Sequence, residues 1–232
     1  MGCDIHLFVE QKINGQWLAI TGVNESEISD WRESMTRAKS EGRDTSYHES
    51  RISELLEGTH DFIYEGRNYR LFSLLAGVRN DYHIAPIAEP KGLPDDVTQK
   101  VKAESDDWGC DGHSHSWLTA RELAEFDWSQ LLEQEGWVSE AQYKVFKEKG
   151  RPESWSGGIG GGGAEHITNR EMNDLIAGNG LRWPGKSYYT IVKWTLPYRE
   201  IVGSFYSWSV PKMVDLAGDD LDSVRLVFWF DN

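Results

Sequence analysis

The sequence predicts an α+β fold: an antiparallel sheet built from an N-terminal hairpin and C-terminal strands, with a helical middle region packed on it or inserted into it. Three observations carry this expectation. Residues 3–10 alternate in polarity with Ile5, Leu7 and Val9 on one face, and Asn14-Gly15 then offers a hairpin turn before Gln16–Ile20. Strand-forming residues return in Tyr188–Trp194 and in Val224–Phe230. Between them, Thr119 with Glu122, Ser139 with Gln142 and Thr168 with Glu171 have the capping-box spacing of helix starts.

After the hairpin, the stretch from Asn24 to Arg51 is polar and reads as a loop or weak helix, a polar loop region of about residues 24–50. Arg51–Leu56 and Tyr69–Ala76 have helical patterns, the second stopped by Gly77, which suits a left-handed cap. Asp95–Glu104 predicts a third helix whose acidic start complements the helix dipole. The capping boxes place helix starts at Ala120 and Glu140. The glycine-rich run 156–163 lacks the Lys-Ser/Thr ending of a phosphate-binding loop and follows no clear strand, so it reads as a flexible loop. Pro211–Leu216 predicts a short helix, and Trp194, Trp208 and Trp229 are expected in the core. The whole chain, 1–232, is expected to form a single domain with its termini close together.

With 39% hydrophobic and 12% aromatic residues, the chain can fill a core and should not remain disordered. A formal net charge of −14 speaks against a broad nucleic-acid-binding surface, which needs a basic footprint. No apolar run approaches bilayer length, and Asp4 and Glu10 stand where a signal peptide keeps its apolar stretch. The expectation is therefore a cytoplasmic protein with no membrane partner. Two cysteines allow at most one disulfide, and each lies beside an aspartate and near a histidine, which fits a reduced compartment.

Candidate chemistry concentrates in two segments, Cys3-Asp4-Ile5-His6 and Cys110-Asp111-Gly112-His113-Ser114-His115. In an extended strand Asp4 and His6 share one face, as do His113 and His115 if their segment is extended. Asp4, His6, Asp111, His113 and His115 together offer the mixed carboxylate and imidazole donors that suit zinc or manganese better than magnesium. Arg79, after Gly77 at a predicted helix end, could clamp a phosphate or carboxylate through its planar fork, although a structural salt bridge explains it nearly as well. His60-Asp61 and His83 are weaker candidates. Asp231 could complete a site near Asp4 if the terminal strands pair; the alternative is a charged terminus reaching water.

Asp4-x-His6, Gly58-Thr59-His60-Asp61 and Gly112-His113-Ser114-His115 look like motifs of calcineurin-type metallophosphatases. No Gly-Asp-x-x-Asp follows the first of them, however, and the one such match, Gly218 to Asp222, lies at the wrong end. The chain also continues past His6 as strand and hairpin, so that fold is not expected. The whole chain more closely resembles a group of mostly bacteriophage-encoded proteins that begin Met-Gly-Cys-Asp-Ile-His and end near Phe-Trp-Phe-Asp-Asn. Both ends are present here, with Leu74–Asn80, Gly92-Leu93-Pro94 and Asp111–Ser114 as further shared segments. The resemblance implies a phage accessory protein acting in the bacterial cytoplasm and brings no activity with it.

Two functional expectations follow. The first is a metal-dependent hydrolase of a phosphate ester or nucleotide, with Asp4, His6, His113 and Arg79 as catalytic candidates and the five donors above as metal candidates. The second is a non-enzymatic counter-defence protein that sequesters a nucleotide signal or binds a host protein, which suits the acidic charge.

Overall fold

A computed structural model describes residues 2–22, 25–57, 63–64 and 66–231. The strands are β1 (Ile5–Ile13), β2 (Gln16–Ile20), β3 (His113–Thr119), β4 (Leu131–Ser139), β5 (Ala164–His166), β6 (Ser187–Pro197) and β7 (Val224–Phe230). The helices are α1 (Glu25–Ser40), α2 (Ser46–Glu57), α3 (Tyr69–Ala76), α4 (Gln99–Trp108), α5 (Ala120–Glu125), α6 (Glu140–Lys149), α7 (Asn169–Ile176), α8 (Tyr198–Ile201) and α9 (Val210–Ala217). This is an α+β fold. The chain divides into two compact units, one made of Met1–Asp127 with Ile201–Asn232 and the other of Trp128–Glu200. Residues 128–200 hold nine acidic and nine basic side chains, so the formal charge of −14 belongs entirely to the first unit.

In the first unit, four strands form an antiparallel sheet in the order β2-β1-β7-β3. The hairpin forms because Asn14 (φ 52°) and Gly15 (φ 81°) both take the left-handed conformation that a two-residue primed turn requires, leaving Ile13 opposite Gln16. Of the two strand-like C-terminal runs, only Val224–Phe230 joins this sheet. It occupies a central position, and all seven of its residues are buried, as expected of a strand covered on both faces.

One sheet face carries Leu7, Val9, Leu226, Phe228 and Phe230, all fully or nearly fully buried. Phe72 of α3 packs on Phe230 with ring centroids 5.1 Å apart, and α5 and α9 cover the rest. The opposite face packs Phe8, Val227 and Trp229 against Val101 of α4, with Leu93, Val97 and Trp117 at the margin. Asn68 caps α3 by accepting from the amides of Arg70 and Leu71, and Gly77 (φ 68°) ends it in the expected left-handed cap.

Three local expectations change. The polar stretch around residues 24–50, expected as a loop or weak helix, is helical and forms α1 and the start of α2. Ile28, Trp31, Met35 and Ala38 recur at helical spacing and supply the less exposed side of α1, a stripe diluted by so many charged neighbours that the period is hard to see. The third middle helix starts at Gln99, after the N-cap Thr98, not at Asp95. Asp96 is drawn away from any helix-dipole role because it binds Arg225 and the indole N–H of Trp17. Trp208 is 48% exposed, whereas Trp194 and Trp229 are core residues as expected.

The second unit has a three-stranded sheet in the order β4-β6-β5, antiparallel between β4 and β6 and parallel between β5 and β6. Its core is Val138, Tyr143, Met172, Val192 and Trp194. The Thr168/Glu171 capping box closes reciprocally, as does Thr119/Glu122 in the first unit. Ser139 caps α6, while the side chain of Gln142 turns to accept the amides of Glu153 and Ser154.

A buried ion pair links the elements of the first unit. Arg225 donates to Glu10 Oε2 at 2.7 Å and to Asp96 Oδ1 at 2.6 Å, with its guanidinium carbon 3.9 Å from the Trp17 ring centroid. Glu10 Oε1 accepts the Thr98 amide at 2.7 Å, so this carboxylate also holds the start of α4. Removing one partner leaves the other charge buried: Glu10→Ala should cost about 3–5 kcal/mol in urea unfolding. The double variant Glu10→Met/Arg225→Leu should recover most of that loss, and equal destabilisation of both variants would contradict the account.

Candidate functional site

The two chemistry-bearing segments flank the last strand. Ile5 and His113 both pair with Phe230, from opposite sides of β7. They therefore lie two strand spacings apart, about 10 Å. The chain ends are also joined directly, because the Asp231 amide donates to the Asp4 carbonyl at 3.2 Å and the Asp4 amide donates to Asp231 Oδ1 at 2.9 Å.

Around that junction four charged or titratable side chains meet. His6 Nε2 lies 3.3 Å from Asp231 Oδ2, with both side chains less than one-fifth exposed. The carboxylate can only accept, so this contact places the imidazole proton on Nε2 and leaves Nδ1 as the basic nitrogen when the ring is neutral. Trp108, the last residue of α4, leans on the His6 ring with centroids 4.1 Å apart. Arg67 grips Asp4 through two nitrogens, Nε to Oδ1 at 2.7 Å and a terminal nitrogen to Oδ2. That fork holds the Asp4 carboxyl below the usual carboxylate range. The Arg67 guanidinium also lies close over Gly2, 2.8 Å from where a Cβ would stand.

The second segment is not extended throughout. His113 pairs with Phe230 and Ser116 with Phe228, so three residues span a step of two, and Ser114 takes φ 53° at this bulge. The side-chain alternation is broken, and the two histidines turn to opposite faces. His113 lies against Phe230 with its Nδ1 3.0 Å from Ser114 Oγ, whereas His115 stacks on Trp229 with centroids 5.7 Å apart. His115 Nε2 is 2.9 Å from Ser105 Oγ on α4, and burial, together with His113 nearby, pushes its pKa down. His6, Trp229 and His115 thus form a row of rings across β1, β7 and β3.

The remaining candidates lie around this centre. Arg79 (φ 54°) directs its guanidinium to the Gly2 carbonyl at 3.5 Å and over the Tyr69 ring at 5.9 Å. It also sits beside the buried Cys3 thiol, whose pKa is raised because desolvation outweighs the pull of the arginine. Asp111 is exposed in the turn after α4, and Cys110 beside it is also exposed; both cysteines are free. His60 and Asp61 lie outside the described residues. Among the described residues, no group of three or more His, Cys, Asp or Glu side chains is gathered to hold a metal ion. No helix among them is long and apolar enough to cross a membrane.

Comparison with protein families, with curated proteins and with solved structures finds no match for the chain, so no activity carries over from a relative. Sequence reasoning missed Arg67, Ser105 and Trp108. Arg67 is isolated in sequence, and only the fold brings it to Asp4. Ser105 and Trp108 carried a usable signal, since their i, i+3 spacing puts both on one side of a helix.

The Asp4–Arg67 pair is half-exposed and screened by solvent, so its contribution to stability is small. Because the folded-state pKa of Asp4 is depressed, that contribution is present above the ordinary carboxylate range and is lost as pH falls through the depressed value. In Arg67→Met the Asp4 carboxyl should titrate upward by NMR, toward the usual aspartate value. An unchanged titration would remove Arg67 as the cause.

Proposed function

We propose that the junction of the chain ends is an acid–base site that hydrolyses a phosphate ester or nucleotide. The observation that carries this reading is the His6–Asp231 contact, a histidine whose tautomer and orientation are set by a carboxylate at the rim of a rigid sheet. Such a pair can take a proton from an attacking water and later return it to the leaving group. Arg67 stands next to the dyad with a planar fork suited to a phosphoryl group, which would compete with Asp4 for it. Arg79 holds the N-terminal segment from which Asp4 and His6 project.

The donor arrangement favours acid–base chemistry over a resident zinc or manganese ion. Asp4 is engaged on both oxygens, and His113 and His115 turn to opposite sheet faces, so the five donors expected from the sequence do not converge. An acidic unit also repels anions at long range, which leaves recognition to short-range arginine contacts.

The test is turnover of a panel of phosphate monoesters, diesters and nucleotides, with EDTA and separately with added zinc or manganese. Turnover should persist in EDTA, fall about 10²–10⁴-fold in kcat in His6→Ala, and show a KM raised about 10–100-fold in Arg67→Ala. Turnover only with added metal would replace this mechanism with a metal-dependent one. Recovery of a tightly held, unaltered nucleotide would instead mark the protein as a binder.

A further inference from the structure

From the geometry of α4 and β3 we infer a second reactive centre, in which Ser105 is a nucleophile activated by His115 and acts on a small uncharged carboxylic ester. It is independent of the phosphate-directed reading, since neither residue touches His6, Asp231 or Arg67 in the contacts described above. Ser105 Oγ and His115 Nε2 are 2.9 Å apart, within the range of a nucleophile and its base.

A second observation points to a ligand at the same place. The indole Nε1–H of Trp229 is buried without a hydrogen-bond partner in a fully buried side chain, and its ring stacks on His115. A buried unpaired donor is costly, about 1–3 kcal/mol, unless an acceptor is supplied. Gly112 closes the arrangement. It does not have positive φ, so the backbone does not demand glycine there. A Cβ would instead come 3.1 Å from Trp108 Cβ, 3.5 Å from His115 Cε1 and 3.6 Å from Trp229 Cδ1. Gly112 thus lies against the ring edges of both residues, and a larger side chain there would press on Trp108 and crowd the base and the unpaired donor.

The surroundings select the substrate class. Val101 shares a buried cluster with Trp229, and Leu93, Val97 and Trp117 pack against that cluster, an apolar lining that suits an uncharged substrate. In the reaction, Ser105 Oγ bonds to the ester carbonyl carbon as its proton passes to His115 Nε2. The carbonyl π pair moves to oxygen, which accepts from Trp229 Nε1–H. Collapse breaks the bond to the alkoxy group, which leaves with the proton from His115. Water, deprotonated by His115, then cleaves the acyl-serine to carboxylic acid and free Ser105.

The experiment treats the full chain with a fluorophosphonate, reads the modified peptide by mass spectrometry, and follows p-nitrophenyl acetate hydrolysis in parallel. The expected result is one adduct on Ser105, with labelling and ester hydrolysis lost in Ser105→Ala and reduced at least tenfold in His115→Gln. Gly112→Val should block labelling, with a circular dichroism spectrum like that of the wild type as the folding control. An unlabelled but folded wild type, or labelling that survives Ser105→Ala, would overturn the inference. Because the readout is the labelled peptide, failure here is distinct from failure of phosphate-ester turnover.

Discussion

The first unit depends on the pairing of β7, which is held on both edges and buried on both faces. A strand in that position has no freedom of register, since a slip by one residue would exchange its two faces. Trp229 would leave the row of histidines, Phe230 would leave Phe72, and Asp231 would leave His6. Arg225 reinforces the choice, because only the observed register sets it opposite Glu10 and within reach of Asp96. Any slipped pairing would bury a guanidinium without its carboxylate, a cost of several kcal/mol.

That constraint gathers the polar side chains of the candidate site. The first and last residues of the ordered sheet converge, and β3 adds a third strand whose bulge splits its two histidines between faces. The α4 face receives His6, Trp229 and His115, with Trp108 and Ser105 delivered from one side of a short helix. The opposite face receives His113, and Cys3, Tyr69 and Arg79 gather about the N-terminal segment. Two kinds of polar arrangement therefore share one end of the sheet: a histidine against a carboxylate beside arginine, and a serine paired with a half-buried histidine.

Much of this was legible in the sequence, and what was not has identifiable causes. The hairpin was readable because Asn14-Gly15 permits only a few turn types. The ends of the sheet were readable because the Val224–Phe230 run is too apolar for an edge. Thr119 and Thr168 announced their helices through local hydrogen bonding that needs no tertiary context. The polar stretch around 24–50 misled because Ile28, Trp31, Met35 and Ala38 are outnumbered by charges, and pairing with α2 supplies what composition does not. The alternation of His113 and His115 failed at Ser114, a residue with no intrinsic preference for positive φ, so the bulge is imposed by the pairing of β3 with β7. Arg67 could not be foreseen, since its role arises from the approach of two segments far apart in sequence.

The claim at the centre of this account is that Asp231, carried by the last strand, orients His6 of the first for acid–base work. Long-range proton–nitrogen NMR of the His6 ring tests it most directly. In the neutral wild-type protein the account predicts a proton on Nε2 and a bare Nδ1, with that tautomeric preference weakened or reversed in Asp231→Asn. A proton on Nδ1 in the wild type, or a His6 ring indifferent to the loss of the Asp231 carboxylate, would contradict it.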